Sequence, residues 1–409
     1  MGSYFKISHI SSAFIAVLVG YSSSVAIIFQ AASAAGATQA ELSSWMWALG
    51  IGMGASCIGL SLRYKTPILT AWSTPGAALL VTGLSGLSMS QSIGAFLFAS
   101  LLITICGITG WFQKITQYIP RSIAAAMLAG ILIRFGMDLF TAMQSQWLLV
   151  GVMFITFMLG RIWLPRYTVP LALAIGVTCA GALGLLHLEV LNWTPAKPLL
   201  MMPEFSISAL IGVGIPLFIV TMTSQNVPGL AVLRANGYET PASPLISWTG
   251  ITGLLLGPFG GYSFNLAAIT AAICMSKDAD PDPTKRYMAS VWAGIFYLIM
   301  GLFGATVVGL FTAFPVELIA AIAGLALLGT IGSSLAGALA DETGREAALV
   351  TFISTASGLS FLGIGSAFWG LVFGIAVHAL TSARKTTAIS PTDNSAAVAP
   401  GNITKAASR

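Results

Sequence analysis

Charge is scarce in this chain. Of its 409 residues, 18 are Lys or Arg and 13 are Asp or Glu, 8% in all against 56% hydrophobic. A soluble domain carries roughly 25% charged residues, so a soluble globular fold is excluded and an integral membrane protein is implied. The basic residues stand singly between apolar runs, so the net charge of +5 speaks to membrane topology and not to nucleic acid. Histidine is scarcer still: His9, His187 and His378 are the whole set, and none has a carboxylate beside it in sequence. That argues against a zinc site or a His-based triad. The four cysteines, Cys57, Cys106, Cys179 and Cys274, fall inside apolar segments without metal-ligand spacing and read as small hydrophobic fillers. With no nucleophile–base pair and no metal set in view, no catalytic residue, metal or cofactor is assigned, and an enzyme is the least supported class.

What the chain has in quantity is apolar runs near the ~20 residues that cross a bilayer. The first half offers 11–33, 43–62, 92–112, 121–140, 145–161 and 168–188; the second offers 206–233, 243–257, 287–312, 315–339, 346–362 and 363–381. Two broken stretches, 67–83 and 258–276, bring the expected number to fourteen. Lys6 and His9 before the first run and Ala32-Ser33-Ala34 after it resemble signal-peptide flanks, but Ile10 to Ala32 is long enough to span, and it is read as an uncleaved first segment. The polar stretch 386–409 is expected to be a disordered tail.

Fourteen segments with a cytoplasmic N-terminus put every basic residue inside except Arg134 and Lys197, a strong positive-inside bias. Both termini are then cytoplasmic. The halves also echo each other. Ser23 lines up with Ser224, and Pro67 with Pro258, which sets Thr70–Ala77 opposite Gly261–Ala268. Seven segments per half is odd, so the repeats enter the membrane in opposite directions, an inverted repeat. The fold class expected is an all-α polytopic membrane protein with short extended stretches in segments three and ten.

Those two segments carry the chemistry. Trp72-Ser73-Thr74-Pro75-Gly76 places Pro and Gly where an extended stretch would give way to a helix, and Pro lacks the N–H that would be orphaned there. In the second half Asn265 is expected to cap. Two short helices starting near mid-membrane would aim free N–H groups at one cavity, and such termini attract anions. Ser73, Thr74, Ser263, Asn265, Gln225 and Asn226 are the donors in reach. The last two lie in Thr221–Gly229, where the polar pair precedes a further break at Val227-Pro228-Gly229. Trp72, Tyr262, Phe259, Phe264 and Tyr21 are candidates to stack on an aromatic ring. Gly50-x-Gly52-x-Gly54 is read as a close helix approach. Arg134 and Asp138, four apart on one helix face, are expected to pair near the outer surface, and Glu317 after Pro315 to sit in a first helical turn.

Thr70–Leu79, Ser224–Gly229, Ala323–Leu328 and Gly363–Gly370 together resemble the bacterial benzoate:proton symporter family (BenE type), and the resemblance runs to about Ala383. It implies the seven-plus-seven inverted-repeat fold shared with nucleobase and sulfate-type anion transporters, and a homodimer. It implies a core domain from 1–112 and 206–312 and a gate domain from 113–190 and 313–383. Uracil-type relatives place glutamates on segments eight and ten; by motif position these fall at Gln225 and Ser263 here. Both acids are absent, as suits a substrate that carries its own carboxylate.

The function expected is proton-coupled uptake of an aromatic carboxylate, benzoate, across a bacterial inner membrane. The expected binding set is Ser73, Thr74, Gly76, Gln225, Asn226, Tyr262, Ser263, Asn265, Trp72 and Tyr21, between the broken segments. A nucleobase permease on the same fold, and an uncoupled anion channel or exchanger, are the alternatives. The partners are the substrate, a proton and the lipid bilayer, with no nucleic acid.

Overall fold

The structure, a computed structural model, describes residues 6–111, 120–187, 195–362 and 364–388. Most of the expected tail lies outside the described residues. The helices are α1 (Ile7–Ala34), α2 (Gln39–Tyr64), α3 (Thr74–Gly83), α4 (Met89–Thr109), α5 (Arg121–Ser145), α6 (Trp147–Trp163) and α7 (Thr168–Ala182). They continue with α8 (Ile207–Ala235), α9 (Ala242–Leu256), α10 (Ile269–Cys274), α11 (Tyr287–Leu302), α12 (Gly304–Thr312), α13 (Val316–Leu339), α14 (Arg345–Ala356) and α15 (Ser366–Ala388). Two strands, β1 (Thr70–Trp72) and β2 (Phe264–Leu266), sit just ahead of α3 and α10.

Among the described residues six helices, α1, α2, α4, α5, α8 and α13, are long and apolar enough to cross a membrane. Local signals set their ends. Thr38 with Glu41 and Ser88 with Gln91 form capping boxes at α2 and α4, each satisfying two of the N–H groups a helix start leaves free. Glu317 lies in the first turn of α13, as expected. The expected single segment 287–312 is instead a pair, with α11 and α12 bent by 67° about Phe303. Gly301 and Gly304 flank that bend. A side chain on Gly301 would meet the Gly50 backbone, and one on Gly304 would meet Met46. The expected break after Asn226 is not a break either. α8 runs on, through π turns at Leu210–Gly214 and Met222–Asn226, and the looser ladder of a π turn accommodates the N–H that Pro228 lacks.

The helices sort into two packed groups. In one, α11 lies along α2 and α9 along α4, with α1 against α3 and α11; in the other, α13 lies along α5, α14 on α15 and α6 on α7. α1 meets α7 and α13, and α3 meets α5, where the groups touch. The glycine series of α2 divides its work. A side chain on Gly50 or Gly54 would collide with α11 at Gly301 or at Gly294 and Leu298, whereas Gly52 makes room for the Phe264 ring.

One end of the first group is closed by a charged clasp. His9 is fully buried, and its Nε2 lies 2.9 Å from Asp280 Oδ2. Lys6 Nζ donates to the same oxygen at 2.8 Å. Arg286 holds the loop from beneath, donating to the Asp280 and Met275 carbonyls at 2.7 and 2.9 Å. The histidine without a sequence neighbour thus finds its carboxylate 271 residues away. Burial alone would push the Asp280 carboxyl up, but Lys6, the Asp282 N–H and His9 outweigh it and hold the group down at about 2, against an ordinary 3.8. A depressed value stabilises the fold above the unfolded value and loses that contribution as pH falls through the folded one. Asp280→Asn is therefore expected to melt below the parent at neutral pH. The gap should narrow as pH drops from about 4 toward about 2, read by thermal unfolding of the detergent-solubilised protein.

Candidate functional site

The two broken segments meet. β1 and β2 pair antiparallel, Thr70 opposite Leu266, Ala71 opposite Asn265 and Trp72 opposite Phe264, and Ala267 N donates to Leu69 O at 2.8 Å. Extended backbone among apolar helices needs a partner for every N–H and C=O, and each break finds much of its partner in the other. Pairing places β2 three residues later than the Pro67–Pro258 alignment does. The turn Gly257–Phe259, with Gly260 at φ +96°, takes up the difference.

Neighbouring helices satisfy what the strands leave over. On the β1 side Ser56 Oγ and Thr70 Oγ1 share a 2.6 Å bond, Thr70 Oγ1 donates to Met53 O at 3.1 Å, and Ser61 Oγ donates to Ile68 O at 2.9 Å. Thr70 N donates to Cys57 Sγ at 3.1 Å, so Cys57 is an acceptor for the broken strand and not a mere filler. On the β2 side Leu266 N donates to Asn226 Oδ1 at 2.9 Å, and Ser263 and Thr221 hydroxyls lie 3.0 Å apart. Tyr262 ties the breaks together, its hydroxyl donating to Ser73 O at 3.0 Å. Trp72 Nε1 donates to Ser24 Oγ of α1 at 2.8 Å.

The helix starts are unlike each other. Ser73 caps α3, its Oγ accepting from Gly76 N at 3.0 Å, with Pro75 in the first turn. Gly76 lets α3 close on α8, since a side chain there would press on Ser73 and Leu217. In the second half Asn265 is not the cap. It lies inside β2, Ala268 occupies the cap position of α10, and no side chain bonds there. The shift in register moved Asn265 from the helix start to the centre of the strand pair. Its Nδ2 donates to Leu266 O at 3.1 Å, while its Oδ1 is buried without a hydrogen-bond partner among the described residues.

The expected binding residues thus gather at one place in two layers. Trp72, Ser73, Gly76, Asn226, Tyr262, Ser263 and Asn265 are buried, most of them bonded to the breaks themselves. Thr74 and Gln225 are half-buried, and their side chains bond to nothing among the described residues. The Gln225–Asn226 pair has divided: one amide serves the protein and the other is left over. Tyr21 and Trp72 meet edge to face with centroids 4.7 Å apart, and the buried Tyr21 hydroxyl has no partner among the described residues. Phe264 is buried and Phe259 packs on Trp47 at 5.6 Å. The sequence reading passed over Ser56, Cys57, Ser61 and Thr221. Their signal was polar residues recurring along one face of α2 and at the first residue of a polar run in α8.

A family model described as benzoate membrane transport protein (BenE) matches residues 3–380. The chain is 52% identical over 361 residues to the inner membrane protein YdcO of Escherichia coli (strain K12), covering 88% of this chain and 92% of that one. It is 41% identical over 365 residues to the benzoate membrane transport protein of Acinetobacter baylyi, covering 89% and 93%. Among solved structures, the transmembrane domain of a cyanobacterial bicarbonate transporter, BicA, aligns with TM-score 0.56 over 92% of this chain and 97% of that one. The murine Slc26a9 anion transporter in its inward-facing state aligns with TM-score 0.58 over 93% and 69%. At 12% identity these two show a shared fold and nothing further.

Asn226→Ala strands the Leu266 N–H in a buried site, which costs about 1–3 kcal/mol. The variant is expected to melt below the parent, whereas Gln225→Ala, which leaves no bond unmade, should melt with it; differential scanning of the purified proteins reads both.

Proposed function

The chain belongs to the benzoate membrane transport protein family, whose members are membrane transporters and not enzymes, and we propose that it takes up benzoate or a close aromatic carboxylate together with a proton. In this reading the substrate lies against the crossing of β1 and β2, with its carboxylate toward the start of α3. The observation that carries the reading is the division of polar groups there. Asn226, Ser263 and Tyr262 are bound to the protein, while Thr74 and Gln225 remain half-buried and uncommitted.

The magnitudes say what such a site needs. Desolvating a carboxylate costs several kcal/mol, and the N-terminal dipole of α3 returns about 0.3–1 kcal/mol. Hydrogen bonds to a charged group contribute about 1.5–3 kcal/mol each, so two or three donors are required. Thr74 and Gln225 supply two, because Pro75 has no N–H and the Gly76 and Ala77 N–H groups are already taken by Ser73. Gln225 and Ser263, where nucleobase carriers bear glutamates, keep the site free of a charge that would repel the ligand. The Tyr21–Trp72 pair offers an aromatic wall.

The same reading makes 1–112 and 206–312 a core that carries the substrate, and 113–190 and 313–383 a gate against which it moves, as two inverted repeats of seven segments. Both termini face the cytoplasm of a bacterial inner membrane, and two copies associate as a homodimer. The names of the relatives, one an inner membrane protein and one a benzoate transporter, support the location and the sign of the substrate.

Benzoic acid crosses a bilayer unaided, so the measurement is the initial rate of labelled benzoate uptake into proteoliposomes after subtracting protein-free vesicles. An inward proton gradient is expected to raise that rate. Uptake no faster than in protein-free vesicles sinks the proposal, and a rate indifferent to the gradient favours an uncoupled exchanger. Gln225→Leu is expected to raise the apparent KM by ~10–100-fold, the equivalent of one charge-assisted hydrogen bond.

A further inference from the structure

A cavity lies apart from the strand crossing. About 590 Å³ in volume, it is bounded by the second half of α3, the Leu210–Gly214 turn of α8, one face of α5, and the loop leading into α15. Ligand pockets run from about 300 to 1,000 Å³, so a ring with one carboxylate fits with room for water. The walls come from both packed groups of helices, α3 and α8 from one, α5 and the α15 approach from the other. What binds there is therefore sensitive to any movement of one group past the other.

Its charges set this cavity apart. Among the described lining residues only Arg134 and Asp138 are charged or titratable. The remaining polar contributions are hydroxyls such as Thr82, Ser85 and Ser360. Arg134 follows Arg121, the first residue of α5, by 13 positions, about 20 Å of rise along a helix of about 37 Å. That places an arginine well inside an apolar span, where an ionisable group is costly and is kept for a function. The expected local pair does not form. Neither Arg134 nor Asp138 makes an ion pair or a side-chain hydrogen bond among the described residues, although each is exposed to the cavity. Their helical spacing lets them reach each other, but the cavity gives both side chains room to turn into it instead. The last carbonyls of α3 at Thr82 and Gly83 border the same space. Their partial negative charge disfavours an anion, so a carboxylate resting there depends on Arg134.

We propose that Arg134 and Asp138 form the coupling site at which a monocarboxylate and a proton bind together. Arg134 holds the carboxylate. With Asp138 about one turn away, the site would then hold two carboxylates, the ligand's and its own, against one guanidinium. Taking a proton removes the excess negative charge. The site thus admits one anion and one proton, with no net change in charge. Thr82 stands eight positions along α3 from Thr74, about 12 Å, so this is a station on the passage distinct from the seat at the start of α3, and the two share that helix. This inference rests on the proposed carboxylate–proton uptake and names the groups that would couple the two.

The test separates exchange from gradient-driven uptake in proteoliposomes, both as initial rates above protein-free vesicles. Asp138→Asn mimics the protonated acid. Its exchange of labelled for unlabelled benzoate is expected to persist but lose its dependence on pH, while the stimulation by an inward proton gradient falls to about 1. Asp138→Glu should restore the stimulation with a displaced pH profile, an outcome that a purely structural role for Asp138 would not produce. Arg134→Gln should raise the benzoate concentration for half-maximal exchange at least tenfold, and Arg134→Lys should recover part of that loss. Gradient stimulation undiminished in Asp138→Asn, or exchange undisturbed in Arg134→Gln, overturns the proposal. So does loss of exchange in Asp138→Asn when its melting temperature matches the parent's. A parent protein without gradient stimulation would instead refute the symport reading on which the inference stands.

Discussion

Two three-residue strands hold the centre of this membrane protein. Each is a piece of backbone that cannot be a helix, one following Pro67 and one following Pro258 and two glycines, and each is buried among apolar helices. An unpaired N–H or C=O in such surroundings costs several kcal/mol. The antiparallel match of Thr70–Trp72 with Phe264–Leu266 removes much of that cost. It also requires the two halves of the chain to meet at this point, because neither strand has another strand to pair with among the described residues.

Much else follows from serving that pair. Ser56, Cys57 and Ser61 turn one face of α2 toward β1, and Asn226 and Thr221 turn one face of α8 toward β2. Glycines clear the space: Gly52 admits the Phe264 ring, and Gly229 lets Leu266 lie against α8. Most of the inner polar groups are engaged, Asn265 Oδ1 and the Tyr21 hydroxyl excepted, and the half-buried Thr74 and Gln225 side chains are unbonded among the described residues. At the far end of α3, Arg134 and Asp138 of α5 face a cavity between the two packed groups.

Legibility from sequence varied with the range of the interaction. The Pro75 start of α3, the first-turn position of Glu317 and the two interruptions were all readable, because each depends on neighbours within a few residues; Ser73, expected as a donor to the ligand, is the α3 cap instead. The function of Asn265 was misread: judged by local spacing it caps a helix, but the true register, set by a turn with Gly260 in the left-handed region, moves it into the strand. The Val227–Gly229 break was misread for a related reason. A proline in a membrane helix can be absorbed by a π turn, and its residues alone do not say whether the helix will break. Cys57, passed over as a filler, and His9, judged to lack a carboxylate, have partners that no local pattern reveals.

The amino-acid sequence by itself determined the membrane class, the placement of apolar segments, the two points where helix gives way, and the absence of acids at Gln225 and Ser263. These follow from hydropathy, caps and turn residues, which act along the chain. Only the tertiary structure decided which of the polar residues are occupied and which are free. That question is answered by partners such as Tyr262 and Ser73, 189 residues apart, or His9 and Asp280, 271 apart. A hydrogen bond is satisfied by proximity in space, and chain order does not encode it.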